Sequence, residues 1–287
     1  MSSSHSKAAP TILRSNAQAS LTVDLAVRAA SAAKQVDVVF DVAVTAALFV
    51  VDIISGHEPF APQLLRIQAT YHIYVWATYA LSLAIADYGE KFDNVIIKLC
   101  ADKSLSVEQR REAISGFIRD ADTIHTTAIG IMTNLNTLED DFNTFVASFR
   151  AWVTEAVESF VRDIQQALGQ LSSDVARIRS AAAASLGLPV AFAADRAVAN
   201  SNVTSELSQN DYVGDAVAAI DSLGKLWQAV TNDAEEIEGW LKDGADDADL
   251  PEYMKLSLEE AVKLYADMAV PLRAYANALT EKNIPLP

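Results

Sequence analysis

The sequence predicts an all-α protein, an elongated antiparallel helical bundle with one very long helix and a short apolar tip. Three observations predict it. Apolar residues make up 51% of the 287-residue chain and charged residues 21%, the balance of a chain that buries a core. No proline occurs between Pro62 and Pro189, so nothing over that span forbids helix. From Ile114 to Ile178 apolar side chains recur every three or four residues, the period of a helix face.

Residues 1–15 read as a mobile tail, and 16–287 as one bundle. The first helix is expected over about 16–54. Within it 38–54, VVFDVAVTAALFVVDII, is apolar on nearly every side, interrupted by Asp41 and Asp52. At 1.5 Å per residue this run is roughly 25 Å long, short of the bilayer's apolar thickness of about 30 Å. A permanent membrane span is therefore not expected; burial among other helices and contact with lipid both suit the run. GHEPFAP (56–62) ends the element with Gly and Pro, and an aromatic-rich second helix follows over 63–100. Its Tyr71, Tyr74, Trp76, Tyr79, Tyr88 and Phe92 suit a core more than a ligand box.

Ser106 and Gln109 have capping-box spacing and open the longest element. Its seam reads Ile114, Phe117, Ala121, Ile124, Ala128, Ile131, Leu135, Leu138, Phe142, Phe145, Phe149 and Trp152. Steps of four through Ala156, Phe160, Ile164 and Leu168 form a stutter, and Leu171, Val175 and Ile178 resume the alternation. A continuous helix over 107–184 would be roughly 115 Å long. The turn AAAASLGLPVAFAADRAVA (181–199) is the expected tip. A helix over 203–243, the acidic break 244–251 and a last helix over 252–282 would then cover the rod on the way back.

The chemistry of common enzymes is absent from the pattern. His5, His57, His72 and His125 have no helical metal-site spacing, and DDAD (246–249) lacks the glycine-centred calcium-loop pattern. There is no phosphate-cradling glycine loop, nucleophile elbow or Cys/His pair. No catalytic residue, metal or cofactor is expected. A net charge of −16 without a basic patch argues against nucleic acid as a partner. Cys100 is the single cysteine, so no intrachain disulfide forms, and a small buried apolar role is expected for it. The polar start MSSSHSKAAP and the late first apolar stretch do not make an ordinary signal peptide, so a soluble product without one is expected.

Three stretches carry a resemblance. They are Gln109, Arg110 and Arg111 with the helix through 113–149, LGLPVAFAA at 186–194, and the closing segments 226–241 and 254–280. Together, across about 60–282, they resemble the α-helical pore-forming toxins: cytolysin A and the components of haemolysin BL and non-haemolytic enterotoxin. The resemblance implies non-classical release and a soluble form that exposes apolar segments at a target membrane. It also implies insertion, and oligomerisation with copies of itself or with a partner component. It places the family's hydrophobic tongue at 186–194 and has N-terminal helices line the pore. The apolar stretch 181–194 is too short to span as a helix, and arms of about seven residues fall below the nine to eleven of a spanning strand. The run 38–54 is then the better candidate for insertion. Val44, Leu48, Phe49, Val50, Leu186, Leu188, Val190 and Phe192 are the candidate membrane-interacting residues. The negative charge favours a sterol, sugar or protein receptor over anionic lipid as the partner. The alternative is a non-enzymatic structural or scaffolding bundle, and a third reading is a carrier of an apolar ligand.

Overall fold

The structure is a computed structural model that describes residues 22–48, 59–153, 165, 168–179, 212–245 and 250–285. It is 89% helix with no strand among the described residues, so the all-α expectation holds. Helix α1 spans Val23–Ala46, and Thr22 caps it by accepting the Leu25 N–H at 3.1 Å. Helix α2 spans Ala61–Lys91 with Pro62 in its first turn; it runs through a π-turn at Phe92–Ile96 into the short α3, Ile97–Ala101. Helix α4 spans Val107–Val153, and a helical run covers 168–179. Helix α5 spans Tyr212–Lys242, α6 Glu252–Glu259 and α7 Leu264–Glu281.

Several boundaries follow local chemistry visible in the sequence. Ser106 Oγ accepts the Gln109 N–H at 3.2 Å while Gln109 Oε1 accepts the Ser106 N–H at 2.9 Å, the reciprocal pair of a capping box. Helix α5 ends with Gly244 at φ 104° and the Ala245 N–H bonded to the Trp240 carbonyl. This is a Schellman closure, which glycine permits because it has no Cβ.

Two expectations need correction. The described part of α4 has 47 residues and is about 70 Å long, and residues 168–179 do not extend it along the same axis as a helix over 107–184 would. Ser172 donates to Asn143 at 3.1 Å, and Arg179 pairs with Glu139. In a continuous helix residues 143 and 172 would stand roughly 43 Å apart, so the chain must double back between Val153 and 168. Leu168, Leu171, Val175 and Ile178 are buried as the seam requires, but on a length of helix that returns along α4. The last helix is also divided. After Glu259, Ala261 takes φ 54° and the Leu256 carbonyl accepts both the Glu260 and Val262 N–H groups, before α7 begins at Leu264.

Residue pairs give the directions of the helices. Phe60 lies against Phe145, Phe149 and Trp152, and Tyr88 stacks on Phe117 at 3.9 Å, so α2 and α4 are antiparallel. Helix α7 returns along α2. Thr78 meets Tyr275, Arg273 bonds Asp87 and Glu90, and Gly89 lies so close to the Tyr265 backbone that a Cβ there would stand 2.9 Å from its carbonyl oxygen. Helix α1 packs on α2, α5 and α7, and reaches α4 through Phe40 against Phe142. Buried apolar residues from all these elements join in one core cluster.

Candidate membrane-active segment and its buried polar clusters

The C-terminal half of α1 is the part of the candidate insertion segment that the structure describes. Its inward side is set by Phe40, Ala43, Val44 and Ala47, all buried; Phe40 packs on Tyr71 and Phe142. Its outward side is mixed: Val38 is 42% exposed, Val42 59% and Leu48 48%, beside the exposed Asp41 and Thr45. Val38, Val42 and Leu48 nonetheless put three large aliphatic side chains on the face that an amphipathic helix turns to solvent. Of the eight predicted residues, Val44 thus lies in the core and Leu48 faces outward. Phe49, Val50, Leu186, Leu188, Val190 and Phe192 lie outside the described residues. Arg179, just before the apolar stretch 181–194, pairs with Glu139 partway along α4, whose end is at Val153. No described helix is long and apolar enough to cross a membrane.

One turn before this segment, α1 joins α2 through a polar cluster that sequence reading did not find. Asp37, 1% exposed, accepts from His72 Nε2 at 2.6 Å, Lys34 Nζ at 2.7 Å and Gln68 Nε2 at 2.9 Å. The same Gln68 amide reaches Asp41 at 2.7 Å. A turn earlier, Tyr71 donates its hydroxyl to the Ala33 carbonyl at 2.6 Å. Burial by itself raises the Asp37 carboxyl, but the bonds from Lys34, His72 and Gln68 outweigh it and hold the group below the usual carboxylate range. The signal was present as spacing: Lys34, Asp37 and Asp41 at i, i+3 and i+7 share one face of α1, and Gln68 and His72 at i, i+4 share one face of α2.

A second cluster joins α2 to the C-terminal helices. The π-turn turns Asp93 inward, where Oδ1 accepts the Tyr253 hydroxyl at 2.7 Å and Oδ2 accepts the Ala266 N–H at 2.8 Å. A carboxylate from α2 therefore caps the first turn of α7, a favourable end for negative charge. Nearby, the Tyr265 hydroxyl donates to the buried Asp233 of α5. Burial raises the Asp93 carboxyl, more than the bonds from Tyr253 and the α7 backbone lower it.

Chemically, both clusters fasten helices. The His72–Asp37 pair has the form of a base held by a carboxylate, but no Ser, Thr or Cys side chain bonds His72 among the described residues. Cys100 is buried at the end of the α2–α3 helix, where burial pushes its thiol up to about 12, so it is an inert packing group as expected. No group of His, Cys, Asp and Glu able to hold a metal occurs among the described residues. Comparison with protein-family models, characterised proteins and solved structures found no match to this chain.

Proposed function

We propose that this chain is a membrane-active, pore-forming protein or one component of such a system, with α1 and the apolar residues after it as the segment that meets lipid. The observation that carries this reading is the set of exposed aliphatic side chains Val38, Val42 and Leu48, which stand among Asp41 and Thr45 and run on in sequence into Phe49, Val50 and the rest of FVVDII. Exposed aliphatic side chains cost solubility and need a compensating use. Burying them in hydrocarbon, at roughly 25 cal/mol per Å², offsets the packing energy that the helix gives up on leaving its bundle. The rod-like outline, the apolar tip at 181–199 and assembly on the membrane with copies or a partner component belong to the same proposal. So does a sterol, sugar or protein receptor, because a charge of −16 opposes adsorption to anionic lipid.

Dye release tests it, using neutral phosphatidylcholine vesicles with and without sterol, and erythrocytes as a source of glycoprotein receptors. The chain should release contents from at least one of these membranes. Val42→Asp should abolish release while leaving the thermal midpoint nearly unchanged, because Val42 is 59% exposed in the folded chain and a carboxylate there costs several kcal/mol only on entering lipid. No release from any membrane, alone or with lysate supplying a second component, would move the reading to a structural bundle.

A further inference from the structure

We infer that Asp37 is the centre of a latch that controls whether α1 stays on the bundle, separately from the bonds that hold the other helices together. The proposal rests on the membrane reading only for its consequence at lipid. Between α1 and α2 the polar bonds converge on a short stretch: Asp37 with His72 and Gln68, Asp41 with Gln68, and the Ala33 carbonyl with Tyr71.

The charged or titratable groups facing Asp37 are Lys34 and Asp41 on α1 and His72 on α2. No charged group of α4, α5 or α7 bonds to it among the described residues. Of the three bonds to the Asp37 carboxylate, those from His72 and Gln68 cross to α2 and exist only while α1 is seated, whereas Lys34, on α1 itself, balances the carboxylate's charge. Buried Leu, Ala, Val and Phe side chains also pack α1 on the bundle, and such contacts are non-directional and can be exchanged for lipid.

The C-terminal helices are fastened by a different set. Arg273 bonds Asp87 and Glu90, Tyr275 meets Thr78, Trp76 donates to the Pro285 carbonyl, and Asp93 caps α7. None of these groups touches Asp37. Helix α1 also packs on α5 and α7, so neutralising Asp37 should loosen α1 first at its seam with α2, while the polar bonds that join α2 to α7 remain.

Hydrogen exchange on the full chain, read by mass spectrometry, tests this. In Asp37→Asn, amides of 33–46 should exchange about tenfold to a hundredfold faster, while those of α7 and of α2 beyond Thr78 stay within about twofold of wild type. Lys34→Met removes a partly exposed partner on α1 itself and leaves the buried Asp37 charge less balanced, so it should fold even where Asp37→Asn does not and should speed the same α1 amides severalfold. A uniform rise across all helices, or unchanged α1 exchange in both variants, would overturn the latch. Dye release by the same variants is read separately. Faster α1 exchange with no release from any membrane leaves the latch standing and refutes the membrane reading.

Discussion

At the scale of single residues, neighbours on α1 have opposite duties. Phe40 is fully buried between the rings of Tyr71 and Phe142, at 5.5 and 6.0 Å, whereas Val42 stands in solvent. Phe40→Ala should cost about 3–5 kcal/mol of unfolding free energy, and Val42→Ala no more than about 0.5 kcal/mol, measured by urea denaturation. Equal costs would mean that the helix is buried on both sides. Many residue-scale features were legible in the sequence. Ser106 and Gln109 cap as their spacing demands, and Cys100 is buried. The Asp37 cluster was not legible, because each member has an ordinary local reading and only the pairing of α1 with α2 brings Lys34 and Asp37 to Gln68 and His72.

At the scale of elements, sequence periodicity found the helices and missed where they reverse. Ile114 to Phe149 and Leu168 to Ile178 bury the side chains that a seam predicts. The period is the same whether the chain runs on or folds back onto itself, since both bury one face, and no Gly or Pro marks residues 154–167. The reversal has a direct check. Cysteines placed at Asn143 and Ser172 should be joined by a short bis-maleimide, with Cys100 silent because it is buried and its thiol pKa is pushed up to about 12. Failure to join them, with both sites reactive singly, would restore the continuous helix. The π-turn at Phe92–Ile96 and the division between α6 and α7 were also missed. Both serve one contact: Asp93 on the α7 N-terminus, with Gly89 permitting the close approach.

For the whole molecule, two of the buried carboxylates, Asp37 and Asp93, give opposite responses to acid. Asp37 is lowered, so its stabilisation is complete above the ordinary value of 3.8 and is lost as pH falls through the lowered one. Asp93 is raised, so its contribution is complete below 3.8 and is lost as pH rises through the raised value. Strong acid should thus loosen the α1 seam before the α7 end. The stability deficit of Asp37→Asn, followed by urea denaturation, should be largest near neutrality and shrink as pH falls below 3.8. A deficit that does not depend on pH would show that the ionised carboxylate is not what holds α1.

The central claim, that α1 leaves the bundle for lipid, is tested most directly by a polarity-sensitive fluorophore on Val42→Cys. That site is exposed and Cys100 is buried, so one position is labelled. On addition of the vesicles or erythrocyte membranes that support release, the emission should shift to the blue with the time course of dye release. Emission that stays aqueous while the protein is bound to those membranes would contradict the account.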